Sequence, residues 1–200
     1  MKKAIVLFLC IVSSYNLFSQ AQMSLRAGVN FSKAKFTNPV NVIDWNTNEP
    51  IEFSRVAGPA FHFGLRTSGI NWKYFYEFGY SQLGYERITN YDLRCKIHRI
   101  EFANQGVQYC FFDDWAKIRT VVQTGIGINL IVADIYSTDN FYEDIRLQNV
   151  FDMNWILGAG VDFGKHFSLN LNYAMGLIDI YSVEYEMKQR EVAFSSIIYF

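Results

Sequence analysis

Six charged residues stand inside segments that otherwise alternate apolar with small polar side chains: Arg26, Arg66, Glu77, Arg99, Glu101 and Arg119. Carboxylates and guanidinium groups enclosed together have two uses. They neutralise one another as a buried ion-pair network, or they line a path for protons or ions. A buried unpaired charge is expensive, so a structural network that fills the interior is the reading carried forward, with the path as its rival. Hydrolysis or acyl transfer asks for more, a nucleophile and a base within hydrogen-bond reach at one place. The histidines are scattered instead. His62 lies mid-segment and His166 follows Gly164-Lys165 in a tight turn, so His98 with Asp134 or Asp144 is the one conceivable dyad. No catalytic residue is assigned. Nor are metal or cofactor ligands, because a metal site needs clustered donors, and Asp134, Asp139, Glu143, Asp144 and Asp152 match no calcium-loop spacing and read as a solvated acidic loop. Trp45, Tyr136, Phe141 and Tyr142 fall in long polar connections. Exposed aromatics there either contact a partner or belong to an aromatic girdle at a membrane interface.

The segments that hold these residues are strands by period-two alternation. Leu25, Ala27, Val29 and Phe31 oppose Ser24, Arg26, Gly28, Asn30 and Ser32; Phe61, Phe63 and Leu65 oppose His62, Gly64 and Arg66. Trp72 to Tyr80 sets aromatics against Lys73, Phe75, Glu77 and Gly79. Lys117 to Val132 is the longest regular run, with Arg119, Gln123, Gly125, Gly127 and Asn129 on its polar side. Met153 to Phe163 and Phe167 to Gly176 flank the Gly164 turn, and Arg190 to Phe200 closes the chain. The segment from Lys96 to Phe112 changes phase. Ile100 and Phe102 mark one face early, whereas Val107, Tyr109 and Phe111 have the opposite parity, which a bulge near Asn104 to Gly106 reconciles. The connections alternate long and short: Lys35 to Arg55, a turn at Thr67 to Asn71, a modest loop at Asn90, Asp113 to Ala116, the loop Asp134 to Asp152, the Gly164 turn, and Leu177 to Lys188. Eight antiparallel strands in that rhythm predict an all-β up-and-down barrel with roomy loops at one end and tight turns, together with both termini, at the other.

Composition supports a membrane setting. Aromatics are 18% of the 200 residues, with 18 Phe, 13 Tyr and 4 Trp, more than one soluble core needs and suited to two interfacial girdles. No window approaches the ~20 apolar residues of a spanning helix. Lys2 and Lys3, the apolar run Ala4 to Val12 and the small-residue site Ser19-Gln20-Ala21 predict a secretory signal over residues 1–21, with Gln22 as the mature start. Bulky Phe8 and Leu9 before Cys10 fit a lipoprotein site poorly. Setting aside the two signal lysines from 18 basic residues leaves 16 against 19 acidic, a formal charge of −3, without the basic footprint of a nucleic-acid binder. Cys95 and Cys110 lie on one extended segment, about 50 Å apart at ~3.3 Å per residue, against the ~6 Å of a disulfide. They are expected to be unpaired.

Period two leaves open which face looks inward. A soluble ligand barrel would put the apolar set inside, yet the second face is Gly, Ser, Asn, Gln and Ala with a few charges, which suits a narrow polar lumen with lipid outside. The final strand, with Val192, Phe194, Ile198 and Phe200 on one face and an aromatic carboxyl terminus, resembles the closing strand and assembly signal of bacterial outer-membrane barrels. The segments EFGYSQLG (77–84), RTVVQTGIG (119–127), GAG (158–160) and YAMGLID (173–179) resemble the PorT-like outer-membrane β-barrel domain of Bacteroidota across essentially the whole mature chain. Where such proteins often carry Glu-Ile-Pro, this chain has Glu101-Phe102-Ala103. The resemblance implies residence in the outer membrane, periplasmic termini, insertion by the barrel-assembly machinery and lipid as the permanent partner. The reading for the chain is a structural or surface-binding role through the loops Lys35 to Arg55 and Asp134 to Asp152, without catalysis; the alternatives are a component of a secretion or gliding assembly, which the resemblance implies, or a narrow channel.

Overall fold

The computed structural model describes residues 21–36, 53–67, 71–87, 93–112, 117–137, 150–179 and 187–200. Eight strands follow one another: β1 (Ala21–Phe36), β2 (Phe53–Thr67), β3 (Trp72–Arg87), β4 (Leu93–Cys110), β5 (Ile118–Ser137), β6 (Phe151–Phe163), β7 (Phe167–Gly176) and β8 (Met187–Tyr199). Each pairs antiparallel with its neighbour, and β8 returns to β1 to close a barrel. The segment 1–20, which contains most of the predicted signal, lies outside the described residues.

Closure converts the alternation in sequence into an inside and an outside. On β1 the exposed residues are Leu25, Val29 and Phe31, while Ser24, Asn30 and Ser32 are buried; on β3 Trp72, Tyr74, Tyr76 and Phe78 point out, while Lys73, Phe75 and Glu77 point in. The large apolar side chains therefore form the outer wall and the polar set fills the lumen, the inverse of a soluble core. In water that wall would be a severe liability; against hydrocarbon it is favourable, because every strand edge is paired. Trp72 and Tyr109 meet at a centroid distance of 4.9 Å and Tyr109 meets Phe111 at 5.1 Å, an aromatic girdle at the end that also holds the termini. The turn Gly164-Lys165-His166 uses a left-handed glycine, φ 64° at Gly164, as a tight hairpin requires.

Several strand boundaries differ from the alternation: β1 runs on to Phe36 and β2 begins at Phe53, inside the span read as the loop Lys35 to Arg55. β5 continues to Ser137 and β6 begins at Phe151, so Asp134 and Asp152 belong to strands rather than to a solvated loop. β8 starts at Met187, ahead of the Arg190 read from sequence, and β4 starts at Leu93 and ends at Cys110. Except at the β4 end, which stops two residues short of Phe112, the strands are longer than the alternation because pairing with a neighbour satisfies backbone groups that loop composition alone does not reveal. The phase change in β4 is a register shift, between Glu77 and Gly79 on the β3 side and between Glu101 and Gln105 on the β5 side. Phe102 and Ala103 thus supply the irregularity, just before the span the phase change indicated. Glu101 and Asn104 both remain inside as a result.

Candidate functional site: the charged lumen

The lumen near the termini is organised around one carboxylate. Asp162 of β6 is fully buried. Its Oδ2 accepts hydrogen bonds from Arg66 Nη1 at 3.0 Å and Arg119 Nη2 at 3.3 Å, and Lys73 Nζ stands 3.8 Å away. Arg66 Nη1 also donates to Gln108 Oε1 at 3.3 Å, and its guanidinium carbon lies 3.5 Å from the centroid of the Tyr199 ring, a cation–π contact that completes the floor of the cluster.

Mid-lumen, the balance reverses. Arg99 of β4 donates to Glu101 Oε1 at 2.9 Å, to Asp152 Oδ2 at 3.3 Å and, across the barrel, to Glu191 Oε2 of β8 at 2.7 Å. Glu101 is saturated: Ser81 Oγ donates to Oε1 at 2.5 Å, His62 Nε2 lies 2.9 Å from Oε2, and the Asn104 amide also donates to Oε2. Arg26 pairs with Glu77 at 3.0 Å. Asn129 Nδ2 donates to Asp152 Oδ2 at 3.2 Å. Among the described residues, five lumen cations (Arg26, Arg66, Lys73, Arg99, Arg119) meet five carboxylates (Glu77, Glu101, Asp152, Asp162, Glu191), so the formal charges of these ten groups cancel. It is also polarised along its axis. Three cations share one carboxylate near the termini, while four carboxylates share two arginines at mid-height.

These side chains consume the space. Among the described residues a lumen cavity of about 40 Å³ lies at mid-height, bordered by Arg26, Asn30, His62, Glu101, Asn104 and Asn154 among others. Asn30 Nδ2, His62 Nδ1, Asn104 Oδ1 and Asn154 Oδ1 have no hydrogen-bond partner in the protein. A polar pocket of that size holds a few waters and nothing larger. Toward the loop end, the inner faces of β1 to β5 carry buried Ala34, Val56, Leu83, Tyr85, Cys95, Ile97 and Ile131. Apolar packing takes over there from ion pairing.

The room for this network comes from glycine. A Cβ on Gly127 would overlap both Asn154 Oδ1 and Asn104 Oδ1, and one on Gly64 would stand 2.8 Å from Glu77 Cγ and from Ser24 Oγ. Those glycines recur on the inner face of the strands because long side chains from neighbouring strands lie over them.

The structure brings Arg26, Arg66, Glu77, Arg99, Glu101 and Arg119 to the lumen, in the two tiers just described. Sequence reasoning passed over Lys73, His62, Asp152, Asp162 and Glu191 as members. Lys73, His62, Asp162 and Glu191 were visible as polar-face residues, and strict parity would have included them; Asp152 was hidden by its place at the edge of an acidic loop. His98 faces outward and its Nδ1 lies 2.6 Å from Tyr80 Oη. Across the strand pair His98 faces Ala133, whereas Asp134 is set opposite the inward-facing Ile97, so His98 and Asp134 are not brought together, and Asp144 lies outside the described residues. Trp45, Phe141, Tyr142 and the side chain of Tyr136 also lie outside them. Phe194, Ile198 and Phe200 are exposed on the outer face, Val192 is half-buried beside them, and Phe200 N donates to Met23 O at 2.9 Å. Cys95 and Cys110 are both buried, and neither forms a disulfide.

Comparisons with known proteins agree with this architecture. No curated protein matches the sequence. The outer membrane protein OprG from Pseudomonas aeruginosa is similar in fold, with a TM-score of 0.50 at 9% identity over 90% of this chain and 96% of its own. Neisserial surface protein A gives 0.48 at 11% identity over 90% and 99%, and Ail, the attachment invasion locus protein of Yersinia pestis, gives 0.47 at 15% over 90% and 99%. The family model described as "Outer membrane protein beta-barrel domain" matches residues 14–182, and the chain belongs to that family of outer-membrane barrels.

Proposed function

We propose that the protein is a non-conducting, non-catalytic outer-membrane barrel with a structural or surface-binding role, exercised at its loop end. The observation that carries this reading is the filled lumen. Ten charges neutralise one another inside and leave a cavity of about 40 Å³, so the barrel serves as a rigid pedestal rather than a pore. Binding then falls to the connections at the loop end, 37–52, 88–92, 138–149 and 180–186, where Trp45, Phe141 and Tyr142 are the candidate contacts, together with Tyr136 at the loop end of β5. Those at the other end, such as 164–166, are shorter. Within this proposal the termini are periplasmic, residues 1–21 are a cleaved signal, and the outer-face set Val192, Phe194, Ile198 and Phe200 is read by the barrel-assembly machinery. Membership of the PorT-like branch rests on the segments at 77–84, 119–127, 158–160 and 173–179.

The test has two arms. In planar bilayers the refolded protein should give no unitary current; a steady ohmic step in every insertion would replace this reading with that of a channel. With a tag placed at Asn140 and the protein extracted in mild detergent, it should emerge as a lone, heat-modifiable barrel. A stoichiometric protein partner would make it a subunit of a larger assembly.

A further inference from the structure

Among the described residues, the closing seam carries a charge arrangement that the other strand pairs avoid. On the outer face of β1 and β8, Lys33 lies opposite Arg190, and Lys35 lies opposite Lys188. The intervening pair, Ala34 and Gln189, is buried in the lumen, so all four cations share the outer face. Like charges directly opposite on a sheet destabilise it, and here the fault occurs twice in succession. Elsewhere the loop-end rim does otherwise: on β3 and β4, Arg94 is set opposite Glu86. Asp179 approaches the seam patch, 4.0 Å from Lys188 with both side chains about a third exposed. Among the described residues, four cations meet this one carboxylate and leave a cationic excess.

Height on the barrel identifies what balances it. One step from Lys33 and Arg190 toward the termini, the outer-face pair is Phe31 with Val192, and the next is Val29 with Phe194. From Met23 to Phe31 the outer positions of β1 are apolar, eight residue steps, or roughly 20 Å of membrane depth for a strand tilted as barrel strands are. The four cations therefore stand where the hydrocarbon wall ends, at the level of lipid phosphates. An acidic protein docking from water would have to reach down to the bilayer surface to meet them, whereas a lipid is already there.

We propose that the loop-end β1–β8 seam binds the phosphate groups of an anionic membrane lipid, whose acyl chains lie along Phe31, Val192 and Phe194. The assignment rests on the reading of the chain as a membrane barrel. It makes lipid a selected ligand at one position on the circumference, held by Lys33, Lys35, Lys188 and Arg190 as a phosphate clamp.

The experiment is native mass spectrometry of the full-length barrel, refolded in detergent and offered bisphosphorylated lipid A or zwitterionic phosphatidylcholine. The wild type should retain lipid A at least about tenfold over phosphatidylcholine, since each basic side chain beside an anionic surface is worth roughly a fivefold change in binding. The variant K33Q/K35Q/K188Q/R190Q should fall to the phosphatidylcholine level, and E86Q/R94Q, which neutralises an already balanced pair, should keep the preference. If the fourfold variant does not fold, K33Q/R190Q carries the same test with a loss of about fivefold or more. Equal retention of the two lipids by the wild type, or undiminished retention by the variants, overturns the proposal. A wild type that neither shifts on gels with heating nor inserts into vesicles would instead overturn the membrane-barrel reading beneath it, so the two failures are distinguishable.

Discussion

Replacing Asp162 with Asn removes one unit of charge and almost no volume, which makes it the sharpest probe of the lumen. Asn keeps an oxygen for Arg66 Nη1 and Arg119 Nη2, so shape and most hydrogen bonding survive. What is lost is the anion shared by three cations at 3.0, 3.3 and 3.8 Å. All four side chains are nearly or fully buried, so water screens the remaining repulsion poorly. Taking one partner from a buried pair costs about 3–5 kcal/mol, and the effect here should reach that range because three cations lose their shared anion together. The assay is urea unfolding from lipid vesicles followed by tryptophan emission, since Trp72 and Trp155 face lipid and enter water on unfolding. The midpoint should drop with the slope unchanged, the mark of a stability change rather than a change in exposed surface. Lys73→Met in the Asp162→Asn background should then recover part of the loss, because it deletes one of the crowded cations. A loss below about 1 kcal/mol for Asp162→Asn, the scale of a solvated pair, or a Lys73→Met that worsens the double variant, would refute the idea that a dry, charge-balanced cluster holds this end together.

Gly127→Ala should destabilise the barrel by about 1–3 kcal/mol in the same assay, the usual penalty of forcing extra atoms into a packed interior, because its Cβ would displace the Asn104 and Asn154 amides; a neutral result would mean those amides move freely. Cys95 and Cys110 should resist a membrane-permeant thiol reagent in the folded barrel and react fully once it is unfolded, as both are buried and unbridged. Rapid labelling of the native protein would show that the lumen admits solutes.

The strand count, the direction of the faces and the long–short rhythm were legible because a barrel in lipid is written in parity: any one-residue slip puts a charge in hydrocarbon. What parity could not give was where a strand ends. Asp152 sits beside an acidic run in sequence and so read as loop, although its oxygen accepts from Arg99 in the lumen. Pairing partners also escaped, because neighbours across a lumen, such as Arg99 and Glu191, have no fixed sequence separation. The bulge was visible only as a broken phase, and its exact residues emerged from the register on both sides of β4.

Closure also governs how the molecule comes to be. Seven of the interfaces join consecutive strands, as hairpins do, but the eighth joins Ser24 to Tyr199, nearly the two ends of the described chain. Contacts that distant form late and slowly. Until they form, a sheet entering lipid would offer hydrocarbon two unpaired edges and an open trough of ten charges, and neither can be satisfied there. A stable half-inserted intermediate is therefore not available to this chain. Penetration of the bilayer, joining of β1 to β8 and pairing of Arg99 with Glu191 must happen as one event, and the time course of insertion should be all-or-none.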